Sequence, residues 1–320
     1  MWDGLRLLGR GWAGPSLHQE PQRPPVPFGH KTGYGPSAYS GARAEAHAGA
    51  TDFARRPRFR RFCRLVSIDD LLEIRSYGAT DVGRRRKHNE DAFLCDDTLG
   101  LWVVADGMGG HAAGEVASQE AIDTIYGMVA RSKRTLALDG ELSEEKARAA
   151  RRMLEGAVQA ATYIVFAIAE LDPGKAGMGT TISAMMRVGN SAVIGQVGDS
   201  RIYRVRNGEV AQLTEDHTMV AWQLKQGLIT EEEARRSKQR NVITRAVGNR
   251  EYVQVDTAII ELELGDSYLL CSDGLHGYLL PDEIPALAED GGGQAVDRFI
   301  ELANSRGGKD NVTAVLVEVC

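Results

Sequence analysis

In LWVVADGMGGHAAGEVAS, Leu101–Ser118, five apolar residues run to Ala105 and stop at Asp106. Glycine follows at 107, 109 and 110, and a helix-like segment begins at Gly114. A buried strand that ends on a carboxylate and passes through glycines into a helix has three readings. Asp-Gly is a common turn pair, because Asp bonds its own backbone and Gly accepts positive φ. Gly107, Gly109 and Ala112 also fit the dinucleotide pattern G-x-G-x-x-A. Asp106 would then face a pyrophosphate with like charge, and no G-x-x-x-x-G-K-[ST] run occurs. The third reading is a carboxylate placed at a strand end for chemistry.

The same device recurs. AVIGQVGDSR (192–201) places Asp199 after an apolar strand. SYLLCSDGL (267–275) places Asp273 after another, again with glycine next. GGKDNVTAVLVEV (307–319) places Asp310 just before a third. With Asp106, four acids sit at ends of apolar strands, each beside Gly, Ser or Asn. If those strand ends share one edge, the carboxylates converge. Gathered without a cation they repel, and at least one must hold a proton. A hard divalent ion removes that cost. Asp oxygens, a backbone carbonyl and water are the ligand set of Mg²⁺ or Mn²⁺. Gly107 fits the carbonyl role, because a missing side chain lets the backbone approach an ion.

Strand-like runs appear at Ala92–Leu94, Leu101–Ala105, Thr180–Val188, Ala192–Val197 and Arg201–Val205. Others are Glu209–Leu213, Tyr252–Leu264, Tyr268–Cys271 and Val312–Val319. Asn207-Gly208 between two alternating runs signals a two-residue hairpin. Helix-like runs cover Gly114–Arg131, Ser143–Leu171, Pro281–Ala288 and Gln294–Ser305. Consecutive strands joined by hairpins imply antiparallel sheets, and long helix pairs imply covering layers. The class is α+β, a sheet sandwich flanked by helices. A polar helical insert spans residues 214–248, with a capping-box signature from Thr230 to Glu233. An insert of this length between strands reads as a lid or a surface excursion.

Of the 320 residues, 43% are apolar, ample for one large core. The net charge of −6 hides an asymmetry. Residues 1–67 hold 11 Lys/Arg against 4 Asp/Glu, so the remainder is strongly acidic. An acidic body argues against nucleic acid as a partner and suits a collector of cations. Residues 1–67 read as a basic, Pro/Gly-rich disordered tail (PQRPPVPFGHKTGYGPS) closed by ARRPRFRRFCR at 54–64, ahead of a catalytic domain over 68–320. That basic cluster has a second reading, as an anchor for acidic surfaces or part of a targeting peptide. No secretory core follows its charges, and no apolar run approaches the roughly 20 residues that span a bilayer. The four cysteines form no C-x-x-C pair, and a reducing cytoplasm is expected.

DVGRRRKHNEDAF (81–93) adds positive charge, four successive cations from Arg84 to Lys87 followed by Asn89, Glu90 and Asp91. Arginine is the natural fork for a phosphate dianion, and an arginine beside a metal cluster suggests phosphoryl transfer to water. Taken together, GRRRKHNEDAF, VVADGMGGHAAGEVAS, GMGTTISAM, VGDSRIYR, LTEDHT, NVITRAVG, LLCSDGL and KDNVTAVLV resemble the bacterial branch of the protein phosphatase 2C family, in family order over about residues 76–319. These are metal-dependent Ser/Thr protein phosphatases.

The resemblance implies a four-layer αββα sandwich with the metals at one end. It implies that Asp106 bridges two ions of Mn²⁺ or Mg²⁺, with the Gly107 carbonyl on one and Asp273 and Asp310 completing the second. Asp199, with Asp273, would hold a third, weaker ion. Glu90 and Asp91 would act through water in an outer shell, and Arg86 would grip the phosphate. A metal-activated water is then the nucleophile. Implied partners are phosphorylated Ser/Thr proteins and a bacterial Ser/Thr kinase whose action the enzyme opposes, with the chain itself a monomer. Two departures stand out. Animal members carry a general-acid His directly after the Asp-Gly, where this chain has Met108; the nearby His111 reads as structural. The insert often ends in His-Pro, where this chain has Ser237-Lys238. Two other readings are a catalytically silent phosphoprotein-binding regulator, disfavoured by the presence of Asp106, Asp273 and Asp310, and a phosphatase of small phosphoesters.

Overall fold

The computed structural model describes residues 72–109, 113–136 and 143–320. The expected tail over 1–67, its basic cluster and His111 lie outside the described residues. Among the described residues, eleven strands form two antiparallel sheets. They are β1 (Ile74–Asp81), β2 (Asp91–Asp96), β3 (Leu101–Met108), β4 (Gly179–Thr180), β5 (Ile182–Val188) and β6 (Ser191–Val197). Then come β7 (Arg201–Arg206), β8 (Glu209–Gln212), β9 (Asp256–Glu261), β10 (Ser267–Cys271) and β11 (Val312–Val319). One sheet has the order β1-β11-β10-β7-β8; the other is β2-β3-β5-β6-β9, with β4 paired to β3.

Period-2 alternation sets the layers. On β3, Leu101, Val103 and Ala105 face helices α1 (Ala113–Leu136) and α2 (Glu144–Leu171), while Trp102 and Val104 face the other sheet. On β11, Val312, Ala314 and Leu316 face the helix Gly292–Ser305, while Val315 and Val317 pack between the sheets. The layers are therefore helix pair, sheet, sheet and helix, the expected αββα sandwich.

Helix α2 starts where Ser143 accepts a hydrogen bond from Lys146 N at 3.2 Å, with Glu144 and Glu145 in its first turn. It is long and apolar enough by length and composition to cross a membrane. Its Ala150, Met153, Leu154, Ala157, Val158, Ala161 and Val165 are instead buried against the six-stranded sheet and α1, as in a core helix. Small residues at this spacing let the helix approach its neighbours closely.

Two sequence expectations change. Strand β1 has no clear apolar run in IRSYGATD, because it is an edge strand. Ile74 joins the core between the sheets and Tyr77 and Ala79 lie on the helix side. The run at 252–264 forms a strand only over Asp256–Glu261. Val253 and Val255 are buried toward the helices without joining the ladder, and Leu264 is exposed before a turn at Gly265. The Asn207-Gly208 hairpin is present, both residues having positive φ (53° and 79°) between β7 and β8. Between β8 and β9 lie α3 (Met219–Lys225) and α4 (Glu231–Arg236), and Thr230 and Glu233 form their capping box.

Candidate active site

Antiparallel pairing brings the acid-bearing strand ends to one edge. The C-terminal ends of β3, β6 and β10 and the N-terminal ends of β2 and β11 all point the same way. Asp91 lies opposite Asp106 in the β2–β3 register. Alternation then aims them. Asp106 follows Trp102 and Val104 on the face between the sheets, and Asp91 shares a face with Phe93 and Cys95 there.

The glycines beside these acids are required by backbone contact. A Cβ on Gly107 would lie 2.2 Å from the Gly114 carbonyl and 2.4 Å from the Glu90 carbonyl. One on Gly274 would lie 1.8 Å from the Asn311 carbonyl. The packing that presses β3 onto the start of α1, and the Asp273 turn onto Asp310-Asn311, thus explains both Asp-Gly pairs.

A layer of hydroxyls and amides fixes the acids. Ser272 Oγ and Thr313 Oγ1 donate to Asp91 Oδ2 at 2.8 and 2.6 Å. Asp106 N donates to Thr181 Oγ1 at 2.9 Å, and Thr181 N donates to the Asp106 carbonyl at 2.9 Å. Asn311 Oδ1 accepts from Glu90 N at 2.8 Å, while its Nδ2 donates to the Val82 and His88 carbonyls at 3.0 and 2.9 Å. One amide therefore ties the arginine loop to the Asp310 turn. His276 Nε2 donates to the Asp199 carbonyl at 2.9 Å. Burial and the nearby Arg201 hold His276 at about 4, so its ring is neutral.

The electrostatics are those of crowded like charges. Burial first, and then Asp91, Asp273, Asp199 and Asp310, push Asp106 well above the usual carboxylate range. Burial, Asp273 and Asp310 raise Asp91 to about 7, against the hydroxyl hydrogen bonds that favour its charge. Burial, Asp273 and Asp216 raise Asp199 to about 7. Asp273 is raised by burial and Asp310, and its carboxyl shares a hydrogen bond with that of Asp106. Arg86 Nη2 donates to Asp310 Oδ2 at 2.8 Å and its Nη1 lies 3.5 Å from Glu90 Oε2. Its side chain is 47% exposed, so it reaches the cluster from the solvent side. Among the described residues, no three His, Cys, Asp or Glu side chains already form a closed metal cage. The acids nevertheless present only hard oxygen donors, and their mutual repulsion favours a divalent cation among them.

A cavity of about 530 Å³ opens from Asp199, Asp273 and Asp310 toward α3 and α4. Beside Asp199 in the chain, Gly198 N donates to His217 Nδ1 at 3.1 Å, which leaves the proton on Nε2, directed to Asp256 Oδ2 at 3.0 Å. Arg245 donates to the same carboxylate at 2.8 Å. A Thr218–Ile243 bridge closes the neck of the insert.

A sequence profile of the family described as protein phosphatase 2C matches residues 82–318. The chain belongs to the protein phosphatase 2C family. It is 38% identical over 244 residues to the serine/threonine phosphatase stp of Listeria innocua serovar 6a, covering 75% of this chain and 93% of that one. It is 39% identical over 254 residues to the serine/threonine protein phosphatase PstP of Mycobacterium tuberculosis, covering 78% of this chain and 45% of the relative. Among solved structures, it is similar to the M. tuberculosis serine/threonine phosphatase PstP/Ppp, with a TM-score of 0.69, 36% identity and coverage of 78% and 99% of the two chains. The catalytic domain of PstP in complex with two manganese ions matches with a TM-score of 0.66, 36% identity and the same coverage.

In this protein phosphatase 2C chain the structure brings together all the sequence-expected acids, with Arg86 at their rim. It gives the GMGTT run a purpose that sequence reading left blank, since Thr180 Oγ1 and Thr181 fix the Asp106 peptide. Ser272, Thr313, Asn311 and His276 were missed as well. A signal existed for the first two: Thr313 is a polar residue at an inward-facing position of β11, and Ser272 continues the inward alternation just past the end of β10.

Proposed function

We propose that this chain hydrolyses phosphoserine and phosphothreonine in proteins, using divalent cations held among Asp106, Asp273 and Asp310. The observation that carries the reading is the set of buried carboxylates that repel one another beside Arg86. The family's manganese-bearing structure supports it. When bound, the cations act as Lewis acids and supply hydroxide near neutral pH.

The chain's residues take these roles. Asp106, the Gly107 carbonyl, Asp273 and Asp310 hold a core pair of Mn²⁺ or Mg²⁺ ions. Asp199, with Asp273, holds a third and weaker one. Glu90 and Asp91 act through water from the outer shell, with Asp91 oriented by Ser272 and Thr313. Arg86 leaves Asp310 to fork the phosphoryl oxygens, binding the substrate dianion and stabilising its developing charge. Met108 carries no acid, so position 108 protonates no leaving group.

The catalytic domain is residues 68–320, with the insert over 214–248 as its flap; residues 1–67 are a tail dispensable for chemistry. The chain works as a cytoplasmic monomer opposing a Ser/Thr kinase. The free thiols of Cys95, Cys271 and Cys320 support a reducing compartment. The test is phosphate release from phosphothreonine and phosphoserine peptides with and without Mn²⁺. Release is expected only with the metal; metal-independent release, or none, overturns the reading.

A further inference from the structure

The cavity beside the carboxylates is larger than a phosphoryl group needs, at about 530 Å³. Its lining mixes charges. Asp199, Asp273 and Asp310 contribute carboxylates, Asp216 is paired with Arg201, and α4 with the segment after it supplies Arg235 and Arg240. Lys309 stands at the rim next to Asp310. The charge of Arg235 is matched by Glu231 at 3.1 Å on its own helix. Arg240 donates a hydrogen bond to the neutral Asn241 side chain, at 3.3 Å. The Lys309 backbone is fixed by its N–H to Tyr278 Oη at 3.2 Å, which leaves the ammonium exposed. Among the described residues neither Arg240 nor Lys309 pairs with a carboxylate, although the body of the chain is acidic.

Resting on the phosphatase reading above, we propose that this cavity is a specificity subsite that selects phosphopeptides carrying Asp or Glu beside the phosphorylated residue, read by Arg240 and Lys309. Two unpaired cations within one cavity, continuous with the reaction centre, are complementary to a carboxylate, and the guanidinium fork suits one in particular. Leu224 and Tyr278 supply apolar surface for the stem of that side chain. Arg240 of the insert and Lys309 beside the sandwich edge therefore act together in choosing the substrate, while the acids perform the chemistry.

The test is kcat/KM in Mn²⁺ on phosphothreonine peptides that differ only in Glu or Lys at each of three positions on either side. The wild-type chain is expected to favour Glu about three- to tenfold at low salt, at one or more positions, with the preference shrinking at high salt. R240E is expected to abolish or reverse that preference, and R240E/K309E to favour Lys. The ratio of the two peptides within each variant is the readout, so a general loss of activity does not mimic the result. Equal turnover of Glu and Lys peptides by the wild type, or an unchanged preference in R240E, overturns the subsite. Failure of the wild type to release phosphate from any peptide overturns the phosphatase reading instead.

Discussion

Strand β10 carries an aspartate just outside each of its ends, and the two have opposite surroundings. Before its start, Asp266 is 1% exposed and receives Arg206 through Nε and Nη2, both at 2.7 Å. Tyr268 Oη adds a hydrogen bond at 2.7 Å and Glu263 N another at 2.9 Å. These partners outweigh burial and hold Asp266 below its ordinary range. Beyond the other end, half-buried Asp273 faces Asp106 and Asp310, and burial together with Asp310 pushes it up. The lesson concerns charge compensation. A buried acid that the chain neutralises itself is a piece of structure, whereas buried acids left facing one another are a seat for a cation from outside.

The largest expected effect removes that seat. Asp106→Ala and Asp273→Ala should each lower kcat about a thousandfold or more, since the metal effect they support is worth several kcal/mol. Each variant should stay folded, because it relieves repulsion. Near-wild-type turnover in either folded variant would end the metal assignment. At the far end, Asp266→Ala should do the reverse. It removes the buried partner of Arg206, which keeps only the more exposed Glu263, so about 1–3 kcal/mol of stability should vanish while kcat below the melting range stays close to wild type. Denaturant unfolding beside a turnover assay measures both, and a catalytic loss without a stability loss would erase the contrast.

Arg86→Ala should act between these extremes, lowering kcat/KM about 10–100-fold, as expected for the loss of a charged hydrogen bond to phosphate. Arg84→Ala and Arg85→Ala should do far less; equal effects at all three would remove Arg86 from its role. The last expected effect is a slope with pH in metal-free protein. Asp91 and Asp199 sit near 7 when folded, against an ordinary 3.8, so the folded state binds more protons than the unfolded one between those values. Stability should therefore fall as pH rises from about 4 to 7. Excess Mn²⁺ should flatten that fall, adding about 3 kcal/mol at a hundred times its Kd. A metal-free melting temperature that rises over this pH range would show that the acids are compensated internally after all.

Much of this site was legible before any coordinates. Asp106, Asp199, Asp273 and Asp310 each interrupt an apolar run, and such an interruption shows in a linear pattern. Arg86 was legible only through the family resemblance, because its neighbours Arg84 and Arg85 look the same in isolation. The supporting hydroxyls were overlooked because Ser272 and Thr313 are ordinary in strands until their inward face is known. Strand β1 was overlooked because an edge strand buries too little to leave a clean alternation. Asp266, for its part, gave no sequence hint of being the internally neutralised acid. Its partner Arg206 lies sixty residues earlier in the chain, and only the β7–β10 pairing brings the two together.

By itself the sequence determined what depends on local order: which runs are strands or helices, where the hairpin turns, where helices are capped, and which acids stand at strand ends. Tertiary structure decided what depends on distance between segments far apart in the chain. It brought the ends of five strands to one edge, put Asp91 opposite Asp106, pressed Gly107 and Gly274 against foreign backbone, and set Arg240 and Lys309 in one cavity with the carboxylates. The physical reason is that alternation and capping act over a few residues, whereas electrostatic crowding and shape arise only when packed sheets exclude water and bring distant charges together.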